Sequence, residues 1–281
     1  MKKFITVLLA AATVFAFSAC GTKTATKDTK TTDDKKAATS YDNLAVATEL
    51  TSEEYGIGFR KGSDLTGELN KLIDEFTADG TLKTLADKYN LVLAESKDEE
   101  TTEATVNDLD YIKANGKLVI GITDYEPMNY RDKNGEWTGF DTEFAQKVCE
   151  KLGVKAEFVE IDWDNKFLAL ESKAIDCVWN GMTISEDVLN NTSCTKAYLR
   201  NAQVVVMAKD KVSKYKTADD MKDLSFAVEA GSAGAEAAQE NGFENVVEVG
   251  AQTDALLETV SGSSDACIID LTMANAMLGN K

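Results

Sequence analysis

Residues 117–163 read KLVIGITDYEPMNYRDKNGEWTGFDTEFAQKVCEKLGVKAEFVEIDW. Leu118-Val119-Ile120-Gly121-Ile122 is an apolar run of strand length. Further on, Phe144, Val148 and Leu152 recur at i, i+4 and i+8, one face of a helix that Asp141 is placed to cap and Gly153 to end. A second strand pattern follows over Ala156–Ile161. Strand, helix and strand at this spacing predict two parallel strands covered by a helix.

The same grammar repeats toward the C-terminus. A short helix over Lys166–Ser172 precedes a strand over Ile175–Trp179, and another strand is expected at Gln203–Ala208. Strands at Ser225–Val228, Val246–Val249 and Ala266–Ile269 alternate with an alanine-rich helix capped by Ser232 and stopped by Gly242, a helix capped by Thr253, and a last helix over Leu271–Leu278. Upstream, strands are expected around Ala45 and Ile57. Two helices follow, one with Leu65, Leu69, Leu72 and Phe76 on a face, the other with Leu82, Leu85 and Tyr89. The fold class is therefore α/β, with mainly parallel sheets covered by helices.

The chain has 281 residues, 30 Lys and Arg against 48 Asp and Glu, and a net charge of −18. That balance excludes a nucleic-acid partner, which needs a basic face. Histidine is absent, which removes the commonest general base and metal ligand. Cys149, Cys177, Cys194 and Cys267 form no C-x-x-C pair, so no metal site and no cofactor is expected; buried free thiols are the simplest reading.

Residues 1–20 form a separate unit. Lys2 and Lys3 precede an apolar run from Phe4 to Phe17, too short to span a bilayer, and Ser18-Ala19-Cys20-Gly21 follows. This is similar to a bacterial lipoprotein signal with lipidation at Cys20, although Phe17 stands where leucine is usual. Residues 21–40 are Thr, Lys, Asp and Ala, a composition that buries no core and reads as a disordered tether. Residues 95–107 read as a second polar linker.

Gly135-Glu136-Trp137-Thr138-Gly139-Phe140-Asp141, Ile175-Asp176, Gly181-Met182-Thr183-Ile184 and Asp265-Ala266-Cys267-Ile268-Ile269-Asp270 occur in order. With them the chain resembles the polar amino-acid solute-binding proteins of ABC transporters (bacterial extracellular solute-binding proteins, family 3). The resemblance implies a two-lobed periplasmic-binding-protein type II fold. One feature departs from the family order. Glu53–Gly62, Asp79–Leu82 and Lys88-Tyr89 resemble the family's C-terminal return strand and final helices, yet here they come first. A circular permutation is inferred, joined by the linker 95–107 and tolerable because surface termini can be relocated. The rival reading makes Tyr41–Leu93 a separate helical domain. The permutation puts lobe 1 at 58–203 and lobe 2 at 41–57 plus 204–281, with hinge crossings near Glu54–Phe59 and Val204–Ala208.

The resemblance also implies a site at strand ends, facing across the lobes. Tyr125 and Trp163 are expected as aromatic walls. Backbone groups of Asn180 and Gly181 with the Thr183 hydroxyl are expected to hold a carboxylate and an ammonium, and the helix start Ser232-Ala233 to favour an anion; Asp270 is expected to pair with the ammonium. Asp124, Glu126 and Glu229 are further candidates. The family's carboxylate-clamping arginine falls on Val188. The implied function is a monomeric, lipid-anchored, extracytoplasmic component that passes an amino acid or small amine to a permease. A sensory surface domain with an altered pocket, or a cleft enzyme of lyase or peptidoglycan-cleaving type, are the alternatives.

Overall fold

The computed structural model describes residues 40–95 and 104–278; Cys20, the signal and tether regions 1–39, and most of the expected linker 95–107 lie outside the described residues. Two sheets organise the rest. The first runs in the order Leu44–Glu49, Gln203–Ala208, Ala266–Asp270, Phe226–Glu229, Val246–Val249. Its last three strands are parallel and its first two antiparallel. The second runs Lys155–Glu160, Lys117–Ile122, Cys177–Thr183, Glu53–Phe59, Ser193–Cys194, with Leu199–Asn201 also pairing Glu53–Phe59. Each sheet is thus parallel where βα units supply it and antiparallel where Leu44–Phe59 and the crossing strand join. The expectation of mainly parallel sheets is corrected to that mixed arrangement.

Tyr41–Leu93 is no separate domain. Its first strand pairs with Gln203–Ala208 and its second with Cys177–Thr183. Paired in this way, neither strand is left as an isolated hairpin, which is marginal in water. The helices Leu65–Ala78 and Thr81–Tyr89 bury the leucine faces that the periodicity marks. A helix at Asp108–Asn115, whose first turn Asn107 caps, was not foreseen.

The backbone passes between the sheets at two adjacent points, Leu50–Ser52 and Ala202. The Leu50 N–H donates to Gln203 O (2.8 Å), and the Thr51 hydroxyl accepts from Gln203 N (3.0 Å). Both crossings lie a few residues before the segments expected to form the hinge, because Glu53–Phe59 is already wholly within the second sheet.

Two local differences bear on the site. The strand expected to stop at Trp179 continues to Thr183. Gly181 does not break it but adopts φ +56°, and the register against Glu53–Phe59 shifts between Gly56 and Gly58. A bulge of this kind re-aims side chains locally. Asp141 is not a cap: Gly139 precedes the helix Phe140–Leu152 and Asp141 is fully buried inside its first turn. There its Oδ2 accepts from Gly181 N (2.6 Å) and the Tyr198 hydroxyl (3.0 Å). Phe140 stacks on Tyr198 and Phe144 meets Trp179 edge-on at 5.0 Å, fixing helix and strand together.

Candidate functional site

The strand ends of the two sheets face one another across a cavity of about 30 Å³. One water needs roughly 10–15 Å³, so the cavity as it stands has room for about two or three waters and not for an amino acid. The wall from the second sheet carries Tyr125, Trp163, Asn180, Gly181 and Thr183; the wall from the first carries Glu229, Ser232, Ala233 and Asp270. Residues up to 145 positions apart, Tyr125 and Asp270, meet here through the topology alone.

Asp124 and Glu126 are not among the lining residues. Asp124 is exposed, and Glu126 lines a separate surface cleft with Tyr130 and Arg200. Tyr125 pairs with Asn129 in a tight turn whose 125 side chain is buried, which directs its two neighbours elsewhere. The roles expected of two lining residues also change. Gly181 N is committed to Asp141, and the Thr183 hydroxyl donates to Glu53 Oε1 (2.9 Å). The Asn180 amide binds the Thr123 N–H, hydroxyl and carbonyl at 2.9–3.0 Å. These residues shape the wall and spend those donors on the protein. Ser232 keeps its capping role, its oxygen accepting from Ala235 N (3.2 Å).

Asp270 ends its strand and precedes the last helix, yet its side chain makes no cap bond. Its Oδ1 accepts from the amides of Gln203 (2.7 Å) and Asn201, and its Oδ2 from the amide of Gln252. Asn201 (2.6 Å) and Gln203 (2.8 Å) also donate to Glu53 Oε1, so the buried Asp270 and the half-buried Glu53 share two amides. Burial and then the charge on Asp270 push the Glu53 carboxyl up; burial raises Asp270 as well. Burial, followed by the Asp270 charge, lifts Glu229 to about 8, with the Thr123 hydroxyl and Lys166 pulling the other way.

Glu53, Lys166, Gln203 and Gln252 escaped the sequence reading. Lys166 is the buried first residue of the helix Lys166–Glu171. Its ammonium donates to Trp163 O (3.3 Å) and, across the cleft, to Gly231 O (2.8 Å); burial lowers its pKa. A second crossing joins the Tyr125 and Tyr55 hydroxyls (2.7 Å apart) to Thr272, whose Oγ1 lies 3.1 Å from Tyr55. The one legible signal was position: Lys166 follows Trp163 by one turn.

The raised carboxyls set the pH dependence of folding. Glu229 has an ordinary value of 4.5 and about 8 when folded, so between those values the native state holds a proton that the unfolded chain has released. Stability therefore falls as pH rises through that window. Asp141, lifted to about 7 by burial, acts in the same direction. Asp265, held low by the Ser225 amide and Lys211, loses its contribution only below the ordinary carboxylate range. The melting temperature without added solute is expected to be highest near pH 5 and to decline toward pH 8, measured by calorimetry. A flat or rising profile over that interval would contradict the burial of these acids.

Two open α/β sheets with facing strand ends, joined by two adjacent crossings, define a type II periplasmic-binding-protein fold. The chain belongs to the bacterial extracellular solute-binding proteins, family 3, whose sequence profile matches residues 118–274. It is 33% identical over 125 residues to the L-cystine-binding protein TcyJ of Escherichia coli, covering 44% of this chain and 47% of that one. It is 28% identical over 170 residues to the L-arginine-binding protein of Pseudomonas aeruginosa, covering 59% of this chain and 65% of that one. The match spans about half the length of TcyJ. Among solved structures, arginine-bound ArgBP from T. maritima (a Gly-to-Ala mutant) aligns with TM-score 0.58 at 31% identity, covering 62% of this chain and 82% of that one. An ancestral amino acid-binding protein, a precursor of cyclohexadienyl dehydratase, aligns with TM-score 0.56 at 34% identity over 58% of this chain and 74% of its own.

Proposed function

We propose that this chain is the solute-binding component of an ABC importer, capturing an amino acid or a related small amine-bearing solute by closure of two lobes about a hinge. The observation that carries the reading is the cavity itself. Among the described residues, its walls come from two sheets linked along the backbone only at Leu50–Ser52 and Ala202, so parting them opens the site without unfolding either sheet. The names of the family's cystine- and arginine-binding members support the solute class. In this reading Tyr125 and Trp163 flank the solute, Asp270 takes its ammonium, and Ser232 and Ala233 face it from the other lobe. Lipidation at Cys20 and a 21–40 tether hold a monomer at the extracytoplasmic membrane face, beside its permease. Solute capture rather than turnover is the assigned role.

The test is thermal stabilisation against common amino acids, diamines and dipeptides, with small-angle X-ray scattering to follow closure. A stabilising solute that also reduces the radius of gyration supports the reading. If no solute raises the melting temperature, the reading fails.

The lobe boundaries and the circular permutation belong to the same proposal. They are supported by relatives that align with about 60% of the chain, while Leu44–Phe59 supplies one strand to each sheet. A variant chain in which 40–95 follows 104–278 through a short Gly-Ser join is expected to fold with an unchanged circular dichroism spectrum and solute affinity. Failure of that variant to fold would remove the permutation reading while leaving solute binding intact.

A further inference from the structure

Two carboxyls face the cavity from the first sheet, and the protein treats them differently. Asp270 accepts three side-chain amides. Glu229, at the end of the strand Phe226–Glu229 and only 3% exposed, has an Oε1 that no described residue satisfies. A buried acceptor left unpaired is unfavourable, and buried polar groups in native proteins are almost always paired. Lys166 lines the same cavity, but its ammonium already donates to the carbonyls of Trp163 and Gly231. The charge balance points the same way: Asp187, Glu229, Glu236 and Asp270 line the cavity against this one cation. A solute bringing a single ammonium satisfies Asp270 and leaves Glu229 as it was.

We infer that Glu229 is a second recognition point, and that the solute carries two cationic groups (an amine or guanidinium in addition to the ammonium that Asp270 receives). This rests on the solute-binding reading and deepens it by naming the class: a basic amino acid. Lys166 has a third N–H for the carboxylate of such a solute, where the position of the family's arginine holds Val188.

The arrangement also couples binding to a proton. With burial, Asp270 and Asp254 raising its pKa, and Thr123 and Lys166 opposing, the empty site keeps Glu229 protonated at neutral pH. A second cation ionises it and releases that proton; a neutral side chain does not.

Titration calorimetry on the intact protein at pH 7 tests this with L-ornithine, L-arginine, putrescine, L-alanine and L-glutamine. Ornithine or arginine is expected to bind at least about 10-fold more tightly than alanine or glutamine, and Glu229→Gln to remove most of that margin while changing the neutral amino acids less than about threefold. Putrescine weaker than ornithine supports a carboxylate subsite at Lys166; putrescine as tight as ornithine overturns that part and assigns the class to diamines. In the unaltered protein, repeating the titration in buffers of different ionisation enthalpy is expected to show proton release with ornithine, arginine and putrescine but not with alanine or glutamine, a readout that survives if the variant does not fold. Neutral amino acids binding as tightly as ornithine, or Glu229→Gln weakening every solute equally, overturns the inference and leaves solute binding standing. Binding by none of the five amounts to failure of both.

Discussion

Asp270→Asn is expected to lower the affinity for any amine-bearing solute by about 100-fold or more, the largest effect of any single change in the cavity. Removing one partner of a buried charge pair typically costs about 3–5 kcal/mol, and each 1.4 kcal/mol is about tenfold in Kd. The isosteric amide also spoils what holds the group in place. Asp270 Oδ1 and Oδ2 both accept N–H groups, from Asn201, Gln203 and Gln252, so an asparagine must set its own NH₂ against a donor. Gln252 cannot turn freely to accommodate it, because its Oε1 already accepts from Asp270 N at 2.9 Å. Calorimetric titration with the best solute, beside circular dichroism to show that the fold is kept, measures the loss. An affinity within about threefold of the unaltered protein would mean that the ammonium is read elsewhere.

Arg60→Met is expected to destabilise the fold by about 3–5 kcal/mol, which corresponds to a melting temperature lower by on the order of 10 °C for a chain of this size. Arg60 is 8% exposed, and its guanidinium meets Asp108 (1% exposed) at 2.9 Å and Asp176 at 3.1 Å. It also donates to Ile175 O (2.8 Å), while Asp176 Oδ2 accepts from Val119 N (2.9 Å). One side chain thus ties the end of the strand Glu53–Phe59 to the helix Asp108–Asn115 and to the strands at Val119 and Cys177. Methionine fills much of the volume but leaves two carboxylates buried without their cation. Adding Asp108→Leu is expected to recover part of the loss, since replacing both members of a buried pair costs far less than removing one. Solute affinity measured well below the new transition should be unchanged, because Arg60 is not a cavity residue. A shift under about 3 °C would show that the charges relax into solvent.

The two residues mark different degrees of legibility. Asp270 was visible because an apolar strand, Ala266–Ile269, ends abruptly on an acid before a helix, and strand ends are where α/β sheets place ligands. Tyr125 and Trp163 were visible for the same reason. Asp124 and Glu126 satisfied that rule equally well and are not in the cavity, because neighbours in a turn point apart and the rule carries no direction. Gly181 read as following a strand that stops at Trp179; it is a bulge within one, held by Asp141, which itself read as a cap. Arg60, at the end of its strand, gave no sign of the two acids it meets 48 and 116 positions away.

Local pattern alone determined most of the strands and helices and the α/β class, because burying an apolar face imposes a period of two or of 3.6 on the residues that form it. The tertiary structure decided how those elements meet: which strands are antiparallel, that the crossings fall at Leu50–Ser52 and Ala202, that Lys166, Gln203 and Gln252 converge on one cavity, and that Glu53 accepts from its lining residues Thr183 and Gln203. The reason is that a buried polar side chain is placed by partners scores of residues distant, whose positions no local period records.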